Sequence, residues 1–149
     1  QQREIHAHYD NAIVYNDLVI DSILRLYEDE DAIAIFAADH GERIFDNSTE
    51  WGRNLTWDRN DIRQQFDIPF WIWASPSYRS CRKQQWEQIR SCRNRRGMTD
   101  TIAQLLLHLA GIHSPWYYPQ YDILHNDYDN SRKRIIRGER DYDRIMLAP

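Results

Sequence analysis

The sequence has little cysteine, no long apolar run and no marked excess of charge of one sign. Each shortage removes a class of protein. Two cysteines, Cys81 and Cys92, in 149 residues are too few for a disulfide scaffold. They are open to two readings, one bridge in an oxidising compartment or two free thiols. On one straight helix they would lie about 16 Å apart along the axis, too far to bridge. No stretch approaches the roughly 20 apolar residues of a membrane helix. A net charge of −4 gives no general attraction to nucleic acid. No signal peptide, internal repeat, low-complexity segment or linker is visible. The chain opens on Gln1-Gln2 rather than Met. It is expected to be a processed or excised piece, so the missing span describes this piece and not its parent.

What is present suffices for one domain, or part of one, with a core: 42% of residues are hydrophobic. Six Trp and nine Tyr point to large aromatic surfaces, in the core or at an interface.

The informative stretch is Ala32–Glu42, AIAIFAADHGE. An apolar run the length of a buried strand, rich in Ile and Phe, is expected to be covered on both faces. It stops at Asp39-His40-Gly41-Glu42. Ligands in open α/β sheets sit just beyond the carboxyl ends of strands. Asp and His are both good ligands for Zn²⁺. Gly41 is expected to allow a sharp turn with positive φ. By itself the loop reads equally well as a polar helix cap.

Around this stretch the pattern predicts a sequence of elements. His6 and His8 flank Ala7; extended, they would chelate a metal, but an exposed lead-in to a helix is the simpler reading. Tyr9–Tyr27 is expected as an amphipathic helix capped by Asp10 or Asn11. The acidic run Glu28–Asp31 lacks EF-hand spacing and reads as a solvated turn into the strand. Helix, turn and strand together form the second half of a βαβ unit. Phe45–Asp67 has no clean period and is expected to be a long irregular connection, a common place for function. Its Arg53 has the planar fork of donors that suits a phosphate.

Ile68–Ala74 reads as a second buried strand, ended by Ser75-Pro76-Ser77. A helix is expected from Tyr78 to about Arg93. The segment from Tyr78 to Met98 is the one strongly basic stretch, with a solvated face as the default and anionic headgroups as the other reading. Thr101–Ala110 is expected as a helix with Ile102, Leu105, Leu106 and Leu109 as its core stripe, stopped by Gly111. His108 and His113 read as structural. His113–Pro119 is a rigid aromatic loop, and Arg134–Gly138 with Tyr142–Met146 a short hairpin.

These pieces stand in a recognisable order: YDNAIVYND (Tyr9–Asp17), ADHGE (Ala38–Glu42), GRN (Gly52–Asn54), DIPFWIW (Asp67–Trp73), TDTIAQLLLHLAGI (Thr99–Ile112) and YDILHNDY (Tyr121–Tyr128). Together they resemble the C-terminal part of the bacterial phosphoethanolamine transferases. These belong to the sulfatase branch of the alkaline-phosphatase superfamily, and the subgroup acting on lipopolysaccharide core or periplasmic glucans is most alike.

The resemblance covers nearly the whole chain. It implies an α/β fold, residues 1–149 being the C-terminal part of an alkaline-phosphatase-like (sulfatase-type) three-layer domain with a mainly parallel sheet. It implies transfer of phosphoethanolamine from phosphatidylethanolamine to a glycan or lipopolysaccharide acceptor through a phosphorylated Thr. It also implies Zn²⁺ bound by Asp39 and His40, Glu42 orienting a ligand from behind, and Arg53 and Asn54 on the substrate phosphate. The implied location is the bacterial inner membrane, with the catalytic domain in the periplasm.

The family's Thr nucleophile and its Glu ligand match nothing here and are expected upstream, so the chain is expected to be inactive alone. The membrane part and the N-terminal half of the domain are then its partners, and nucleic acid is not. Relatives carry cysteine bridges, which implies an oxidised Cys81–Cys92 pair. A sulfatase or phosphodiesterase of the same superfamily, or a non-catalytic binding fragment, is the alternative; YDNA and GRN favour the transferase.

Overall fold

The computed structural model describes residues 1–46, 50–53 and 56–147. The chain forms two compact units, Gln1–Arg82 and Lys83–Pro149.

The first unit opens with a helix, α1 (Gln2–Arg25), that starts a full two turns before the expected Tyr9. His6 and His8 therefore lie on a helix, where residues two apart do not face each other, and the extended chelating pair does not form. The N-cap is Gln1, with no side-chain cap bond, in place of Asp10 or Asn11. No residue of α1 is buried. Ring contact between His6 and Phe45, with centroids 6.1 Å apart, ties it to the loop after the first strand.

Two strands follow, β1 (Ile33–Ala37) and β2 (Phe70–Ala74), separated by a helix, α2 (Arg59–Phe66). They pair in register from Ile33↔Ala74 to Ala37↔Phe70, and the pair is antiparallel. The βαβ reading called for a parallel neighbour. The reason is where the connection returns. The amide of Ala38 donates to the carbonyl of Pro69 at 3.2 Å, so the chain leaves and re-enters at the same end of the pair. All five residues of β1 are half-buried, not covered on both faces.

The helix α2 lies inside the stretch expected to be irregular. Asp58 caps it, accepting from the amides of Asn60 at 2.9 Å and Asp61 at 3.3 Å. After β2, Ser75 is buried and caps the helix α3 (Pro76–Cys81), accepting from the Tyr78 amide at 3.0 Å, with Pro76 in the first turn. The single helix expected from Tyr78 to Arg93 is broken at Arg82, where φ is −119° and ψ 44°. Arg82 is held by a double contact to Asp31, Nε to Oδ1 at 3.1 Å and Nη2 to Oδ2 at 2.7 Å.

The second unit begins with α4 (Lys83–Ser91), whose Ile89 is buried. A 3₁₀ turn at Thr99–Thr101 leads into α5 (Ile102–Leu109). Leu105 is fully buried but Leu106 is exposed, so the core stripe is narrower than the spacing suggests. Gly111 stops this helix at φ +64°, its amide donating to His108 and that of Ile112 to Leu107, the two bonds of a Schellman motif. The core is Ile89, Leu105, Ile123, Leu124, Tyr128, Ile136 and Tyr142. The hairpin is real but shorter than expected, β3 (Ile135–Ile136) with β4 (Arg140–Asp141). Arg137 and Gly138 both have positive φ, as its tight turn requires. Tyr142–Leu147 is a helix, α6, and not the second strand.

Both thiols are free, Cys81 exposed and Cys92 buried, so the expected bridge is not formed. A helix break between them was necessary for a bridge and was not enough.

Candidate metal centre

Asp39 and His40 follow the carboxyl end of β1, and the structure brings their side chains together. His40 Nε2 lies 3.4 Å from Asp39 Oδ2. His40 Nδ1 lies 2.8 Å from the carbonyl oxygen of Gly41. A carbonyl only accepts, so Nδ1 carries the proton, and Nε2 is the ring nitrogen that faces the carboxylate. This is how metal-ligating histidines are held, the far ring nitrogen fixed by a backbone carbonyl. Two ligands of a tetrahedral Zn²⁺, each about 2.0–2.1 Å from the metal, stand roughly 3.3 Å apart. The observed separation fits that spacing. Among the described residues no group of three or more His, Cys, Asp or Glu converges.

The loop is positioned by α2. Gly41 donates its amide to the carbonyl of Gln65 at 3.0 Å. A Cβ at Gly41 would stand 2.0 Å from the carbonyl oxygen of Gln64. Gly41 is therefore required for close backbone approach. The positive φ expected of it belongs instead to Gly52, at +86°.

The second anchor is Arg43, which the sequence reading passed over. Its side chain is 1% exposed. Nη1 meets Asp61 Oδ2 at 2.8 Å and Glu50 Oε2 at 3.2 Å. Nε donates to the carbonyl of Gly52 at 3.2 Å, and the Gly52 amide returns a bond to the Arg43 carbonyl at 2.9 Å. Thr56 donates its hydroxyl to the same Asp61 oxygen. One buried cation thus ties the Gly52 turn to α2. The only sequence cue was Asp58-x-x-Asp61 opening a helix. An inward Arg looks like any other Arg in a polar loop.

The remaining expected site residues are placed less closely. Glu42 Oε1 is buried without a hydrogen-bond partner among the described residues, and a Gly52 Cβ would stand 4.0 Å from it. Glu42 reaches toward the GRN turn and does not join Asp39 and His40 as a third converging ligand. Arg53 is exposed, directly after Gly52. Asn54 lies outside the described residues.

The Asp-His pair stands just beyond the carboxyl end of β1, the place where ligands bind in open α/β sheets. The sulfatase family model matches residues 1–112, and the chain belongs to that family. Among curated proteins, it is 29% identical over 92 residues to phosphoethanolamine transferase EptC of Escherichia coli O18:K1:H7 (strain RS218 / NMEC), covering 59% of this chain and 15% of that protein. It is 36% identical over 72 residues to the Kdo(2)-lipid A phosphoethanolamine 7''-transferase of Escherichia coli K12, covering 47% and 12%. Two crystal structures of the C-terminal periplasmic domain of EptC from Escherichia coli share its fold. One has a TM-score of 0.71 at 23% identity, and the other, a complex with Zn, 0.67 at 22%; each alignment covers 91% of this chain and 39% of the other. The fold class is therefore the expected one, α/β and alkaline-phosphatase-like. The chain spans 15% or less of the two curated relatives' length. Among the described residues no helix is long and apolar enough to cross a membrane.

Proposed function

We propose that this chain is the C-terminal portion of a phosphoethanolamine transferase. It moves phosphoethanolamine from phosphatidylethanolamine to a glycan or lipopolysaccharide acceptor at the cell envelope. The observation that carries the reading is the Asp39–His40 pair, 3.4 Å apart with Nδ1 locked by the Gly41 carbonyl. The named relatives are phosphoethanolamine transferases, and a structural neighbour is a Zn complex.

In this reading Asp39 and His40 are two Zn²⁺ ligands. When bound, Zn²⁺ lowers the pKa of a nucleophilic hydroxyl and neutralises charge on the transferring phosphoryl group. Asp39 contributes charge and His40 a neutral lone pair. Gly41 seats the loop on α2, and Arg43 holds the Gly52 turn that presents Arg53 to the substrate phosphate; Asn54, outside the described residues, is assigned to the same phosphate. Glu42 supports the turn from beneath. The Thr nucleophile and the remaining ligand belong to the other part of the same domain, which is also the partner that completes the sheet. The domain faces the periplasm of a bacterial inner-membrane protein.

The test has two parts. Isothermal titration of the chain with Zn²⁺ should show weak binding that is lost in H40A. Tight stoichiometric zinc, or zinc unaffected by H40A, would mean the ligand set is wrong. In the whole polypeptide that carries this chain, D39N and H40A should abolish transfer of labelled phosphoethanolamine from phosphatidylethanolamine. Retained transfer would end the proposal, and sulfate-ester or phosphodiester hydrolysis in its place would favour the hydrolase reading.

A further inference from the structure

Arg53 stands between two anchors that meet at one carboxylate oxygen. On its upstream side, Ile44 and Trp51 form an antiparallel bridge, and the Gly52 amide donates to the Arg43 carbonyl at 2.9 Å. Arg43 Nε returns a bond to the Gly52 carbonyl at 3.2 Å, and its Nη1 donates to Asp61 Oδ2 at 2.8 Å. On the downstream side, the Thr56 hydroxyl donates to the same Asp61 oxygen. Arg53 directly follows Gly52 and precedes Thr56 in the chain. Asp61 is buried and lies in the first turn of α2.

The Thr56 bond is not a helix cap. Asp58 caps α2, and its carboxylate already accepts from the amides of Asn60 and Asp61. Thr56 Oγ1 accepts from the Asp58 amide at 3.3 Å and sends its own proton inward to a side chain. Nor does the fold need charge at this place. Apolar groups of similar volume often serve stability as well as a buried ion pair. What the arrangement supplies is geometry. A segment tied on both sides has few conformations left to lose when a ligand arrives. An Arg fork reads phosphate through two parallel N–H donors, so its use depends on a fixed backbone beneath it.

We propose that Thr56 and Asp61 are positioning residues that act through Arg53, fixing the backbone on both sides of it for binding of the substrate phosphate. Their role rests on the transferase reading, which makes Arg53 a phosphate ligand. It also divides the labour of α2. The carbonyl of Gln65, one turn beyond Asp61, takes the Gly41 amide at 3.0 Å and seats the Asp39–His40 loop. The first turn seats Arg53. Loss of the Thr56 anchor should therefore weaken phosphate binding and leave metal binding in place.

The test uses the whole polypeptide that carries this chain, loaded with Zn²⁺, with O-phosphoethanolamine as the probe. Calorimetry gives the affinity for the probe, and transfer of labelled phosphoethanolamine from phosphatidylethanolamine gives KM and kcat. Thr56 carries the test because removing Asp61 also unbalances the buried Arg43. T56V keeps the shape of the side chain and removes the hydroxyl. It should bind the probe about tenfold more weakly and raise KM by a similar factor, with kcat little changed. T56S keeps the hydroxyl and should restore most of the affinity. In an R53A background T56V should cause no further loss, because Thr56 acts through Arg53. Zn²⁺ titration of T56V should match the parent.

Parent-like probe binding by T56V, an additive loss in R53A/T56V, or a zinc affinity that falls with the probe affinity would each overturn the proposal and leave the transferase reading standing. Parent-like binding by R53A, or a parent that does not bind the probe, would overturn the phosphate role of Arg53 and the proposal with it.

Discussion

Gly41 and Gln64 are in backbone contact: a Cβ on Gly41 would stand 2.0 Å from the Gln64 carbonyl oxygen. Backbone oxygen cannot swing aside as a long side chain would. G41A should therefore cost about 3 kcal/mol or detach the loop from α2. Chemical denaturation measures the first outcome, and weakened Zn²⁺ binding in a titration measures the second. An alanine variant as stable and as competent as the parent would show that the contact is relaxed in solution.

Arg43 is buried and its principal partner is Asp61. Removing Asp61 leaves the buried Arg43 guanidinium with the half-exposed Glu50 as its carboxylate partner. D61A should lose about 3–5 kcal/mol. The double variant R43M/D61A should recover part of that loss, because it removes both charges. A double-mutant cycle in urea gives the coupling directly.

Asp143 is held below the ordinary Asp range, chiefly by the hydrogen bond from Arg134 and further by Arg96. The folded state thus binds its proton less readily than the unfolded state. Its stabilisation is present above the unfolded value of 3.8 and is lost as pH falls through the lowered folded value. The second unit of D143N should be about 1 kcal/mol less stable at neutral pH. The gap between parent and variant should close below pH 3.8, as measured by urea midpoints across pH.

Cys81 is exposed and Cys92 buried, both as free thiols. A maleimide should label Cys81 in the native chain and Cys92 only on unfolding. Mass spectrometry after brief labelling reads this out. Protection of both thiols until a reductant is added would restore the bridge.

Local chemistry made several features legible without coordinates. Seven apolar residues ending in Asp-His-Gly-Glu marked a strand end, since strand length is a local property. Gly111 as a helix stop and Gly138 at the hairpin turn were equally readable, because positive φ favours glycine; Arg137, also at positive φ, was not.

Tertiary structure decided the rest. The antiparallel sense of β1 and β2 depends on where a 32-residue connection returns, which no periodicity records. Gly41 was marked by the sequence as special, but only the packing of α2 shows that close approach, not positive φ, makes it so. Arg43 reads as a surface cation until Asp61 and Glu50 converge on it, because burial of a charge follows from where distant carboxylates fold. The sequence alone therefore determined which residues can do chemistry. Only the fold decided which of them face one another, since that depends on contacts between residues far apart in the chain.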